Sequence, residues 1–204
     1  MKNKFTLFLA IGLFACTSTP TAIIENTIVP VQEQTVLPTQ TQASSVPTEE
    51  VLMKFEITSP AFVNGAPIPP KYSCKGSDIT PALAWTEPPG GTQSFALIMD
   101  DPDAPRGTWV HWVIFNIPAS ARGLQEATPT DPQLGDGSIQ GITSARTNGY
   151  HGPCPPSGTH RYFFKLYALD TTLSLSTNAD RAKLLAAMEG HILANAEVMG
   201  NFSH

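Results

Sequence analysis

Two stretches of this chain put ionisable side chains on a stiffened backbone. One is Asp101-Pro-Asp-Ala-Pro105, with His111 following between Trp109 and Trp112. The other is Gly152-Pro-Cys-Pro-Pro-Ser-Gly-Thr-His-Arg-Tyr162. Imidazoles near a carboxylate can move protons, hold a metal ion or donate hydrogen bonds to an anion. The first two uses lack the companions they need. The chain has no G-x-S-x-G elbow, no H-E-x-x-H and no C-x-x-C, and Gly135-Asp-Gly137 is too short for a dinucleotide fingerprint. Hydrolysis with Asp101 and His160 as acid and base would require a nucleophile or a metal set that the sequence does not offer. A metal held by Asp101, His111 and His160 lacks compact ligand spacing. The expectation is therefore a binding protein, not an enzyme, with no metal and no cofactor.

These side chains need strands and turns to hold them. Residues 94–99 and 109–117 are apolar at both alternating positions, as central strands covered on both faces are. Residues 53–58 alternate like a half-buried strand, and residues 161–169 form an aromatic-rich one. With 15 prolines over residues 51–204, the connections are turns, which argues for an antiparallel sandwich over a βαβ array. Asp101 then sits at the end of a strand. Asp103 and the two prolines stiffen the turn that follows. Period-2 alternation puts His111 on the face of Trp109, Val113 and Phe115. One helix is predicted after Thr177-Asn-Ala-Asp180, which has capping-box spacing. Leu184, Met188 and Ile192 follow at intervals of four, Gly190 ends or loosens the helix, and residues 196–202 return as a short strand.

The N-terminus has a different character. Lys2 and Lys4 precede an apolar run over residues 5–15 that is too short to span a bilayer, so residues 1–15 read as a signal peptide. Leu13-Phe14-Ala15 before Cys16 resembles a lipobox, which predicts cleavage there and lipidation of Cys16. Thr17 rather than Asp follows, so the expected destination is the outer membrane of a two-membrane cell, or otherwise the cell surface. Residues 17–50 hold eight threonines and four prolines without Gly, Lys, Arg or an aromatic residue, the composition of a disordered tether. The division is thus 1–15 signal, 16–50 lipidated cysteine and tether, and 51–204 folded domain. Loss of Lys2 and Lys4 takes the net charge from −5 to −7, which argues against nucleic acid as a partner. With Cys16 lipidated, Cys74 and Cys154 remain in a compartment that permits disulfides, so a Cys74–Cys154 bond is expected; two free thiols, one of them buried, are the alternative.

Together D-P-D-A-P at 101–105, H-W at 111–112 and G-P-C-P-P-S-G-T-H-R-Y at 152–162 resemble the phosphatidylethanolamine-binding protein family, in its bacterial and archaeal, Raf kinase inhibitor-like branch. Tyr72-Ser-Cys-Lys-Gly76, Pro81-Ala-Leu-Ala-Trp85 and Met188-Glu-Gly-His-Ile-Leu193 resemble that branch as well. The resemblance implies a mainly β fold, an antiparallel Greek-key β-sandwich with a C-terminal helix. It also implies a small pocket for phosphate-type anions or phospholipid head groups. Carried over residue by residue, that pocket comprises Asp101, His111, Gly152, His160 and Tyr162. Pro105 and Pro155 shape its walls, and Asp103 braces the turn. Further implied roles are modulation of another protein or, alternatively, inhibition of a serine protease or kinase through an exposed loop. The chain departs from the family pattern in three places. Residues 143–150 lack an aromatic–glycine pair, His151 is an added ionisable group, and Phe202 stands where a tyrosine is common. In this reading Asp101 fixes one imidazole's tautomer and holds the histidines toward their charged form against burial. Glycine-loop N–H groups supply further donors, so no permanent guanidinium is needed.

Overall fold

The computed structural model describes residues 54–204. Met53, the signal segment, Cys16 and the tether lie outside the described residues.

The alternation of buried side chains builds the domain around one strand. β3 (Ser94–Asp101) is buried at every position. Its Phe95, Leu97 and Met99 point into one hydrophobic cluster, and Ala96 and Ile98 into a second. Two coverings are therefore required. A five-stranded antiparallel sheet runs in the order β6-β4-β3-β7-β8, formed by β6 (Ile139–Gln140), β4 (Trp109–Pro118), β3, β7 (Thr159–Leu169) and β8 (Ile192–Ser203). A small antiparallel sheet, in the order β1-β2-β5, combines β1 (Ile57–Thr58), β2 (Leu83–Trp85) and β5 (Gly123–Leu124). The small sheet and neighbouring loops close the first cluster with Ile57, Leu83, Trp85 and Leu124. Helix α1 (Arg181–Met188) closes the second with Leu184 and Met188. The architecture is the antiparallel sandwich with one late helix that the sequence predicts. Among the described residues no helix is long and apolar enough to cross a membrane.

Several local expectations need correction. The helix is capped by Asp180, whose side chain accepts the Lys183 N–H at 2.9 Å, and not by Thr177. It stops at Met188, since Gly190 takes φ +79°, the left-handed conformation that ends helices. Ile192, read as the helix's next apolar position, instead starts β8. That strand pairs with β7 from Leu169↔Ile192 to Thr159↔Ser203, well beyond residues 196–202. At the other end, only Ile57–Thr58 forms a ladder. Residues 54–56 still follow β2, because the Thr86 hydroxyl donates to the Lys54 carbonyl and accepts the Glu56 N–H.

A further correction decides where a site residue points. On β4, Trp112, Ile114 and Ile117 belong to the inter-sheet cluster, whereas Val113 and Phe115 face the helix. The register runs Met99↔Trp112 and then Asp100↔Val110, so His111 is the extra residue of a β-bulge. Strict alternation would have sent its ring toward Val113 and Phe115. Instead it packs edge-on against Tyr162, a residue of the inter-sheet cluster, with centroids 5.2 Å apart.

Candidate functional site

Antiparallel pairing brings the two chemistry-bearing stretches together. β3 ends at Asp101, while β4 and β7, its neighbours on either side, begin at Trp109 and Thr159. Strand ends 59 residues apart in sequence thus place Asp101 Oδ2 2.7 Å from His160 Nδ1. The pair is almost fully buried, with side chains 4% and 9% exposed. The other oxygen, Oδ1, accepts the Asp103 N–H at 2.8 Å, the local turn that the Asp-Pro-Asp sequence favours. Both carboxylate oxygens are therefore engaged, and His160 is held by Nδ1.

His111 is held in the same manner by another group. Its Nδ1–H donates to the His151 carbonyl at 2.7 Å, while the His151 N–H donates back to the His111 carbonyl at 2.9 Å. A carbonyl can only accept, so the proton is on Nδ1. Burial holds the His111 pKa below the usual imidazole value, outweighing the opposing effects of the His151 carbonyl and Asp101. This reverses, at His111, the expectation that the carboxylate would dominate. Near neutral pH this ring is uncharged, and its Nε2 is an acceptor.

Both imidazoles line one cavity of about 930 Å3 at this end of the sandwich. Its floor carries Asp101, His111 and His160, and its walls come from residues 104–109, residues 144–145 and the loops around Cys74 and Cys154. The neighbouring backbone clasps β4, because Ser144 Oγ accepts the Val110 N–H and the Ser144 N–H donates to Val110. Among the described residues, no group of three His, Cys, Asp or Glu side chains is arranged to hold a metal ion.

The predicted residues divide. Asp101, Pro105, His111, Gly152 and His160 line the cavity; Asp103, Pro155 and Tyr162 do not. Asp103 instead braces the turn through a bidentate pair with Arg161, at 2.9 Å to Nε and 2.7 Å to Nη2. The Arg161 guanidinium holds the Asp103 carboxyl at a pKa of about 2. Pro155 is buried, and its carbonyl accepts from His204 at 3.0 Å; Pro156 forms the wall instead. Tyr162 lies in the core against His111, its hydroxyl without a hydrogen-bond partner among the described residues and its pKa raised, chiefly by burial and then by the Asp101 charge. Gly152 reaches the cavity, but its N–H is committed to Asp78 Oδ1 at 2.6 Å, so it is not a free donor. A glycine is required there for packing, since a Cβ would collide with the Tyr72 carbonyl and with Ser73 Cα. Phe202 is a core residue paired across the ladder with His160 and does not line the cavity.

The structure also adds residues. Arg106, exposed and without an ion-pair partner among the described residues, is the one arginine or lysine in the lining. The cavity lining thus contains a guanidinium that the sequence reading did not include. Its position directly after the Asp-Pro-Asp-Ala-Pro turn was the available signal. Trp109, 43% exposed, supplies an aromatic wall, and His151 lines the approach. Cys74 and Cys154 are bonded, with Cα atoms 5.5 Å apart, and both half-cystines belong to the cavity wall. Tyr150 has its own role in the residues 143–150 departure: its hydroxyl donates to the Tyr72 carbonyl at 2.7 Å, tying the two wall loops together.

Comparison with known proteins follows the same outline. Residues 58–203 match the family described as phosphatidylethanolamine-binding protein. A UPF0098 protein of Methanothermobacter thermautotrophicus is 54% identical over 140 residues, covering 69% of this chain and 93% of that protein. A UPF0098 protein of Aquifex aeolicus is 48% identical over 148 residues, covering 71% and 86%. Among solved structures, the phosphatidylethanolamine-binding protein homolog CT736 of Chlamydia trachomatis superposes with a TM-score of 0.68 at 41% identity, covering 74% of this chain and 97% of its own. E. coli YbcL, described as a member of the mammalian PEBP family, gives 0.69 at 32% identity, covering 74% and 98%. With the family model matching residues 58–203, a range that contains the whole cavity, and with relatives of 54% and 48% identity beside it, the chain belongs to the phosphatidylethanolamine-binding protein family.

Proposed function

We propose that the cavity binds a small phosphate-type anion, free or as a phospholipid head group, on a protein held at a membrane by a lipid on Cys16. The observation that carries this reading is the pair of imidazoles, each held through Nδ1 and each leaving Nε2 without a protein partner among the described residues, at a shared cavity. Arg106 at the rim adds the permanent positive charge that attracts an anion.

The two rings favour a ligand that both accepts and donates. Neutral His111 offers a lone pair, so it takes a hydrogen bond from a P–OH group or an ammonium. A protonated His160 would donate to an anionic oxygen. Phosphate monoester monoanions meet both demands, whereas a sulfonate has no proton to give. At pH 6, where about half of a phosphate monoester is still the monoanion, methyl phosphate is therefore expected to bind roughly fivefold more tightly than methanesulfonate, which has neither a P–OH nor an ammonium. The pH dependence follows from the lowered His111 pKa. A sulfonate recruits His111 as a donor only after protonation, so its affinity rises as pH falls below the ordinary imidazole value near ~6.5. Calorimetric titrations from pH 5 to 8 check both points. Equal affinity for the two ligands at every pH counts against the reading.

The anchor has its own test. Full-length protein expressed with its leader is expected in the detergent phase after phase separation. The Cys16→Ser variant is expected in the aqueous phase or as uncleaved precursor. Wild-type protein wholly in the aqueous phase would remove the anchor from the proposal.

A further inference from the structure

We propose that the Cys74–Cys154 disulfide is a thiol-exchange site, at which a small anionic thiol entering the cavity becomes reversibly bonded to the protein. Both half-cystines are exposed and in the cavity wall, although the residues around them, Tyr72, Ser73, Gly152, Pro153 and Pro155, are buried. Buried disulfides resist incoming thiols, whereas exposed ones exchange with them. A bond needed only to join the loops could have been placed among those buried neighbours.

The same wall supplies what the exchange requires. A thiol must lose its proton before it attacks, and His111, whose own proton is held on Nδ1, offers at the cavity an Nε2 that has no protein partner among the described residues and accepts a proton. The sulfur then bonds to one cysteine sulfur, the S–S bond breaks, and the other cysteine leaves as a thiolate that takes up the released proton. One disulfide is exchanged for another, so no outside oxidant or reductant is consumed. Arg106 at the rim selects thiols that carry a negative group.

Reversal requires that the freed cysteine stay near the new disulfide. Three hydrogen bonds join the same loops independently of sulfur. The Cys74 N–H donates to the Pro153 carbonyl at 3.2 Å, the Gly152 N–H to Asp78 at 2.6 Å, and the Tyr150 hydroxyl to the Tyr72 carbonyl at 2.7 Å. The loops therefore remain in register when the bond opens, and the free thiol can expel the adduct.

This inference rests on the anion reading only for the charge of the thiol. The test incubates the full chain with 2-mercaptoethanesulfonate or with neutral 2-mercaptoethanol, quenches with N-ethylmaleimide, and maps adducts at Cys74 and Cys154 by peptide mass. Each rate is divided by that thiol's rate with 2-hydroxyethyl disulfide, which removes intrinsic reactivity. The expected result is one thiol and one maleimide shared between the two cysteines, with the sulfonate thiol faster by roughly fivefold at low salt. In Arg106→Gln, an exposed position, that preference should vanish. No adduct at either cysteine, equal normalised rates, or a preference that survives R106Q would each overturn the proposal. Calorimetry with O-phosphoethanolamine on the same preparation separates the two readings. Phosphate binding without charge-selective exchange defeats this proposal alone, and charge-selective exchange without phosphate binding upholds it while defeating the phosphate reading.

Discussion

Replacing Cys74 and Cys154 together by serine is expected to lower the melting temperature of the full chain by roughly 10 °C, while the folded domain persists at room temperature. The bond joins residues 80 apart in sequence. Opening a loop of that length restores unfolded-state entropy worth about 4 kcal/mol. For a domain of this size, each kcal/mol shifts the midpoint by about 2–4 °C. The native arrangement itself should change little, because the three hydrogen bonds between the wall loops remain. Thermal unfolding of the wild-type chain with and without a phosphine reductant should reproduce the difference. An unchanged midpoint would mean that the bond contributes nothing to stability, and an unfolded double variant would mean that the hydrogen bonds cannot hold the loops.

The second large effect is expected at the Asp101–His160 pair. His160→Ala leaves the buried Asp101 carboxylate with the Asp103 N–H as its remaining hydrogen bond and removes one cavity-facing nitrogen. Stripping a partner from a buried pair of this kind costs about 3 kcal/mol of stability. Loss of phosphate affinity should exceed tenfold, judged by the value of one hydrogen bond to a charged group. A second variant separates folding from binding. Asp101→Asn keeps the shape and one oxygen acceptor for the His160 ring, so it should lose less stability than His160→Ala while still weakening phosphate binding, since the ring loses its charged partner. Denaturant titration and calorimetry on both variants measure the two effects. If both bind O-phosphoethanolamine like wild type, the anion does not sit on His160.

Residue types and short-range pattern determined much of this protein without a structure. Apolar side chains at both alternating positions of residues 94–99 and 109–117 required central strands, because only a strand covered on both faces can bury two apolar rows. Asp101 at the end of such a strand, followed by prolines, had to sit in a stiff turn at the sheet's rim. The order of the Asp-Pro-Asp-Ala-Pro, His-Trp and Gly-Pro-Cys motifs was legible as well, and so was the family to which they point. Cysteine parity carried the disulfide, although distance in space is invisible to parity.

What tertiary structure alone decided depended on register and partners distant along the chain. A single extra residue opposite Asp100 re-aims His111 from the helix side toward Tyr162, and a bulge leaves no mark in a run of apolar residues. Whether burial or Asp101 governs the His111 proton depended on how deeply that bulge seats the ring. Gly152 looked like a free donor until Asp78, 74 positions away, took its N–H. Ile192 matched a helical spacing of four, yet Gly190 reversed the chain and the complete β7 ladder claimed it as strand, since pairing along a whole neighbouring strand outweighs local periodicity. Periodicity reports which faces a segment could bury. Which neighbour meets each face, and which hydrogen-bonding atoms remain for a ligand, is settled only when the whole chain has paired.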